Sequence, residues 1–167
     1  MSRGLRIGHG WDAHRLVAGR TLMLGGVRVP FERGLEGHSD GDVLLHAVAS
    51  ALLGALGAGD LGRHFPSSDA RLRGIPSKEL LGQVVSMVNE RGLELVNLDA
   101  TLIAQAPRLA PFVEAMEEGV AKLLGACRER VNVKITSSDG LGAVGRGEGM
   151  AASAVVLLAP AERPGAR

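Results

Sequence analysis

Two histidines eight residues apart, with two aspartates between them, stand in Gly37-His38-Ser39-Asp40-Gly41-Asp42-Val43-Leu44-Leu45-His46. His46 falls inside an apolar helical run, so its side chain has a fixed direction. His38 precedes that run, where backbone amides are free to meet an anion. The reading is that His46 is one of three ligands of a catalytic metal and that His38 touches a phosphate. Upstream, Asp12 and His14 are two residues apart, and in an extended segment they point to the same side. D-x-H alone is weak, and a solvated loop is its usual meaning. Together with His46 it supplies one oxygen and two nitrogen donors. Three protein ligands with one open position are the pattern of catalytic zinc. His64 offers a fourth ligand, although without ligand spacing a solvated loop histidine is the better reading.

A second polar group is Thr136-Ser137-Ser138 with Asp139, and Lys134 nearby. A third is the glycine-rich loop around Arg146 and Glu148. Hydroxyls, amides that follow glycines and a cation are the groups that hold phosphates, although a Ser/Thr-rich strand end is more often a simple turn. There is no G-x-x-x-x-G-K-[ST] loop and no H-E-x-x-H, so a P-loop nucleotidase and the common zinc-protease motif are excluded. A metal with an open position can polarise a phosphoryl oxygen or make hydroxide from water. The residues alone do not choose between these.

The elements that must position these groups follow from periodicity. Leu5 and Ile7 predict a short first strand ending at Gly8-His9-Gly10. Thr21 to Val29 reads as a hairpin around Gly25-Gly26. Val43 to Leu56 predicts an amphipathic helix with His46 off its main apolar stripe, capped by Ser39, Asp40 or Asp42 and stopped by Gly57. Ser77 is expected to cap a second helix with Leu80, Leu81, Val84, Val85 and Val88 inward. Val96 to Leu102 alternates as a strand. Pro111 opens a third helix ending near Gly125, Val131 to Ile135 forms another strand, and Ala151 to Leu158 a buried last one. The fold class is therefore α/β (α+β): a single domain over residues 1–159 with a tail over 160–167. One mixed sheet carries helices on one face, and the last two strands are able to pair directly. The bare face calls for cover by symmetric association, so a homo-oligomer is expected.

Composition bounds the partners. The 167 residues carry a formal charge of +1, with three Phe, one Trp and no Tyr. That disfavours a nucleic-acid surface or base-stacking platform. Cys127 is alone, so no disulfide framework exists within the chain, and a partly buried thiol is expected. No apolar run approaches the roughly 20 residues that span a bilayer. The beginning of the sequence, with Arg3 and Arg6, lacks the apolar core of a signal peptide. A cytoplasmic protein without membrane contact is the expectation.

The motifs R-I-G-H-G-W-D-A-H (Arg6 to His14), G-G-V-R-V-P (Gly25 to Pro30), H-S-D-G-D-x-x-x-H (His38 to His46), G-D-L-G-x-x-F-P (Gly59 to Pro66), A-Q-A-P (Ala104 to Pro107), N-V-K-x-T (Asn132 to Thr136) and G-R-G-E-G (Gly145 to Gly149) occur in order along the chain. In this combination the sequence resembles the 2-C-methyl-D-erythritol 2,4-cyclodiphosphate synthase family. The resemblance implies a four-stranded mixed sheet plus a small hairpin, a homotrimer, and active sites between subunits. It implies that the 2-phosphate of 4-diphosphocytidyl-2-C-methyl-D-erythritol 2-phosphate attacks the β-phosphorus, giving the cyclic diphosphate and CMP in non-mevalonate isoprenoid synthesis. The nucleophile would be the substrate's own, in keeping with the absence of an evident general base.

Carried over by position, Asp12, His14 and His46 resemble the ligands of one Zn²⁺ per subunit. His38 and Ser39 resemble phosphate contacts, and His38 and Ser137 match the two transition-state stabilisers. Asp139 falls where a Glu usually holds Mg²⁺ or Mn²⁺ and is one methylene shorter. Asp60, Leu61 and Gly62 resemble the erythritol site, with Phe65 and Asp69 beyond it. Ala104, Gln105, Ala106, Pro107, Arg108, Leu109 and Ala110 resemble the cytosine pocket, and Thr136, Ser137 and Ser138 the diphosphate contacts. Ala143 stands where an aromatic residue is common. In the family that position lines an axial cavity able to hold an isoprenoid diphosphate near the residue matching Arg146. Ser67 and Ser68 replace the usual Asp-Thr, and Gly140 a common Lys. Two other readings stand beside this one: a zinc-dependent phosphodiesterase or phosphatase, and a non-catalytic trimeric binding protein.

Overall fold

The computed structural model describes residues 4–161. The first strand, β1 (Arg6–Ala18), is far longer than Leu5 to Ile7 and runs straight through Gly8-His9-Gly10. Glycine permits a turn, but here it serves a different need. A methyl group on Gly8 would fall 1.9 Å from the Ala51 carbonyl oxygen, and one on Gly10 2.0 Å from that of Ala47. Both oxygens belong to helix α1 (Val43–Leu56), whose backbone lies directly on the strand. Between them come β2 (Leu22–Leu24) and β3 (Val27–Val29), the expected hairpin, and β4 (Arg33–Leu35).

Asp42 caps α1 by accepting from the Leu45 amide at 3.1 Å. The same carboxylate accepts from the amides of Gly25 and Gly26 at 2.9 and 2.7 Å, which fastens the hairpin turn to the helix start. Burial pushes its pKa up, and the three N–H groups act against that rise. The helix ends at Gly57 in the left-handed region, φ 63°. It is not amphipathic as expected. Every residue except Ser50 and Gly54 is buried, His46 included.

The chain continues through α2 (Leu61–His64), α3 (Ser77–Glu90), β5 (Leu93–Ile103), α4 (Val113–Leu124), β6 (Val131–Thr136), α5 (Gly142–Gly145) and β7 (Gly149–Pro160). Pro76 takes the N-cap position of α3, so Ser77 is its first residue and not its cap. Pro111 sits in a 3-10 turn ahead of α4. The sheet order is β4-β1-β7-β5-β6, five strands where four were expected, because the three-residue β4 pairs with the far end of β1. β5 and β6 are parallel across α4, as a βαβ unit requires. The last two strands do not pair. β7, an almost unbroken apolar run, takes the centre between β1 and β5, antiparallel to both.

Alternation divides the sheet faces. Gly8, Gly10, Leu98, Ala100, Leu102, Val133, Ala154 and Val156 face the helices and are buried. On the other face Ile7 is 72% exposed and Trp11 59%. Cys127 is exposed, against the expectation of a partly buried thiol. β7 extends through Pro160, which the sequence had assigned to the tail; residues 162–167 lie outside the described residues.

Gly10→Ala is expected to cost about 3 kcal/mol, the upper end of overpacking in a tight core. It should also lower metal content, since His46 rides on the displaced helix. A chemical denaturation midpoint equal to wild type would contradict the seating of α1 on β1.

Candidate metal centre

Alternation along β1 puts Asp12 and His14 on the same side as Gly8 and Gly10, beneath the start of α1. His46, in the first turn of α1, meets them there. His14 Nε2 lies 2.8 Å from Asp12 Oδ2. His46 Nδ1 lies 2.9 Å from the same oxygen and 3.0 Å from His14 Nε2. Tetrahedral zinc, with bonds of about 2.0–2.1 Å, holds its ligand atoms about 3.3 Å apart. The triangle is therefore of the right size, and its donors are of the right kind. Among the described residues, this is the trio of His, Cys, Asp and Glu side chains that could hold a metal ion.

Burial works against a charge on Asp12. The hydrogen bonds and charges of His14 and His46 outweigh it and hold the carboxyl well below the usual carboxylate range. Burial also works against a charged His14, and Asp12 outweighs it by hydrogen bond and charge, raising the imidazole pKa. The cluster attracts positive charge, which a proton on His14 or a metal ion can supply.

The loop before α1 is pinned to its surroundings. Arg20 donates to the carbonyls of Gly37 at 2.9 Å and Ser39 at 2.7 Å. The Gly74 amide donates to the His38 carbonyl at 2.6 Å, and the Asp40 amide to that of Ile75 at 3.2 Å. Behind His46, its Nε2 lies 3.0 Å from Ser39 Oγ and 2.9 Å from Ser77 Oγ. Arg20 and Ser77 were not read as site residues. Nothing in local spacing marks Arg20, and Ser77 was assigned to a helix cap.

A cavity of about 340 Å³ opens on this centre. It brings together Asp12, His14, His38, Ser39, His46, Asp60, Leu61, Gly62 and Phe65, all singled out in the sequence. Ser50 and Ser67 add hydroxyls, and Leu72, Ile75 and Leu80 an apolar wall. Ser50 was legible in principle, because it lies one helical turn beyond His46 at i+4. Asp60 also caps α2 through the Arg63 amide, 2.9 Å. His64 is no ligand: its Nε2 donates to the Ala58 carbonyl at 2.9 Å. Asp69 does not line the cavity; it caps a 3-10 turn and pairs with Arg71.

The remaining predicted residues lie outside this cavity, in loops after β5 and β6. The Ala104 amide donates to the Thr136 carbonyl at 3.0 Å, tying the two strand ends together. Ala104 to Ala110 follow, with Leu109 buried. Ser137 Oγ donates to Asp139 Oδ1 at 3.0 Å and accepts from its amide at 3.2 Å. Ser138 Oγ donates to the Leu141 carbonyl, 2.8 Å. Arg146 pairs with Glu148 at 2.6 Å, beside Ala143 in α5. Lys134 does not join the hydroxyls. It bonds Asp99 on the bare face of the sheet.

A trio able to hold a metal opens to a cavity in a single α/β domain whose mixed sheet carries helices on one face. The YgbB family model matches residues 5–159, and the chain belongs to that family. The 2-C-methyl-D-erythritol 2,4-cyclodiphosphate synthase of Laribacter hongkongensis is 58% identical over 154 residues, 92% of this chain and 95% of that one. The synthase of the same name from Geobacillus kaustophilus is 58% identical over 153 residues, 92% and 97%. Among solved structures, the bifunctional IspDF of Campylobacter jejuni superposes with a TM-score of 0.91 at 42% identity, over 95% of this chain but 43% of that longer one. A 2C-methyl-D-erythritol-2,4-cyclodiphosphate synthase in a CDP-bound form gives 0.84 at 38% identity, over 92% and 99%.

Metal and proton compete for His14. Affinity is expected to be full above its raised pKa and to fall as pH drops through it, with Asp12 ionised throughout. Zinc retained after dialysis at graded pH measures this, and retention that does not change between about pH 8 and pH 5 would contradict it.

Proposed function

We propose that the chain converts 4-diphosphocytidyl-2-C-methyl-D-erythritol 2-phosphate into 2-C-methyl-D-erythritol 2,4-cyclodiphosphate and CMP. The observation that carries this is the Asp12–His14–His46 centre open to a cavity, in a chain that matches synthases of that name over nearly their full length. An oxygen of the 2-phosphate attacks the β-phosphorus. The bond from that phosphorus to the bridging oxygen of the α-phosphate breaks, and CMP leaves with the electron pair. Zinc held by Asp12, His14 and His46 would supply Lewis-acid polarisation of a phosphoryl oxygen.

The protein's part is then positioning and charge. His38, which lines the cavity, would face the phosphates. Ser39, whose hydroxyl is turned to His46, would contribute its backbone N–H. Asp60 and Gly62, with Leu61 and Phe65, line the place of the erythritol hydroxyls. The segment Ala104 to Ala110 would read cytosine through its backbone. Thr136, Ser137 and Ser138 would hold the diphosphate, and Asp139 a Mg²⁺ or Mn²⁺ beside it. In one chain these loops lie outside the metal cavity, which supports sites completed by a neighbouring subunit. The exposed Ile7 and Trp11 on the bare sheet face support a homotrimer closed over that face. Two solved relatives are described as CDP-bound, which supports a cytidine diphosphate substrate. Ala143 and Arg146 would face the three-fold axis, where an isoprenoid diphosphate could lie. A substrate so highly charged does not cross membranes unaided, which supports a cytoplasmic site of action; no described helix is long and apolar enough to span a bilayer.

Purified protein is expected to yield a cyclic diphosphate by ³¹P NMR, with activity lost on chelation and in His46→Ala. A free monophosphate carrying ¹⁸O from labelled water would point to a hydrolase instead. Asp139→Ala should lose dependence on added Mg²⁺ or Mn²⁺ while keeping its zinc. If zinc is lost as well, the two metal assignments are wrong.

A further inference from the structure

We propose that Asp40 and Ser77 are positioning residues that fix the tautomer of His46, so that Nδ1 presents its lone pair to the metal. The inference rests on the metal reading of the site above. It follows from where each hydrogen can go. An ionised carboxylate only accepts, so the Ser77 hydroxyl, which bonds Asp40 Oδ1, must point its hydrogen there. Ser77 Oγ then faces His46 Nε2 at 2.9 Å as an acceptor, and Nε2 must carry the proton. Ser39 Oγ lies 3.0 Å from the same nitrogen and already accepts from the Gly41 amide at 3.1 Å. With its hydrogen on Ser77 Oγ, 3.1 Å away, every contact in the ring is a hydrogen bond; with that hydrogen on Nε2 instead, the lone pairs of Ser77 Oγ and Nε2 would face each other at 2.9 Å.

A neutral imidazole has a single N–H. With that hydrogen on Nε2, Nδ1 keeps its lone pair for an ion shared with Asp12 Oδ2, 2.9 Å away, and His14 Nε2, 3.0 Å away; without the ion, Asp12 competes for a hydrogen on Nδ1. Ser39 is 3% exposed and Ser77 1%, so solvent does not replace their hydroxyls. Without Asp40, the Ser77 hydroxyl is free to turn its hydrogen toward Nε2. That stabilises the Nδ1–H tautomer, which cannot ligate. The arrangement is an outer-shell carboxylate acting on a ligand histidine through one hydroxyl, and such partners set metal affinity.

The test compares zinc affinity, by chelator competition, in full-length wild type, Ser77→Ala, Asp40→Ala and Asp40→Asn. Imidazole ¹H–¹⁵N correlation spectra of the zinc-loaded forms read the His46 Nε2–H and whether its hydroxyl partners hold it. Ser77→Ala and Asp40→Ala are expected to bind zinc about 10- to 100-fold more weakly. Asp40→Asn, which keeps an acceptor oxygen, should recover most of that loss. The His46 Nε2–H should give a resolved signal, shielded from solvent exchange, in zinc-loaded wild type, and that signal should broaden or vanish in Asp40→Ala. Should Asp40→Ala not fold, Ser77→Ala decides alone. Wild-type affinity with an unchanged Nε2–H signal in the folded variants overturns the proposal. A wild type that binds no zinc overturns the metal reading itself, so the two failures are distinguishable.

Discussion

The close approach of one helix backbone to one strand is the constraint on which the rest depends. Where Gly8 and Gly10 lie against the carbonyls of Ala51 and Ala47 there is no room for a side chain. A helix standing off by the usual separation would leave His46 too far from Asp12 and His14 to share an ion. Strand alternation supplies two donors on the helix side of β1, and contact at bare Cα atoms brings the third within 3.0 Å. The helix can sit this deep because it is apolar on all sides, with α3 and the hairpin covering what the sheet does not. The few polar groups it buries are hydrogen-bonded, as burial of such groups requires.

The two aspartates between the histidines divide the work of holding that geometry. Asp42 looks away from the cavity. It ties the start of α1 to the hairpin turn through three amides and fixes where the first helical turn begins. Asp40 looks toward Ser77 and, through it, toward His46. Arg20 clamps the loop that carries His38 by two of its carbonyls. The loop is therefore tied to the turn after β1, to the segment before α3 and to the hairpin, so this wall of the cavity is framed by fixed backbone.

The ligand trio was legible because it needs only two periodicities: period 2 along a strand for Asp12 and His14, and a helical run for His46. The hairpin at Gly25-Gly26 and the parallel β5–α4–β6 unit were legible for the same reason. The role of Gly8 and Gly10 was not, because a glycine that permits a turn and one that permits a close contact read alike in a single sequence. Three residues are too few to show a pattern, so β4 was missed and the sheet was expected to have four strands. Ser77 looked like a cap because it precedes an apolar run. Its partner His46 is 31 positions away, and only the folded chain puts Ser77 behind that ring. Lys134 was grouped with the hydroxyls by proximity in sequence, although alternation sends it to Asp99 on the bare face.

That bare face and the detached loops belong to one account. The metal cavity and the proposed cytosine and diphosphate loops are separate in one chain, and the sheet shows Ile7 and Trp11 to solvent; the proposed homotrimer accounts for both. The central claim is nonetheless local to one chain: one ion between three named atoms. Anomalous diffraction at the zinc edge from crystals grown with zinc tests it most directly. The account predicts one strong peak per chain, bounded by Asp12 Oδ2, His14 Nε2 and His46 Nδ1. No peak there, or a peak ligated through His46 Nε2, would contradict it.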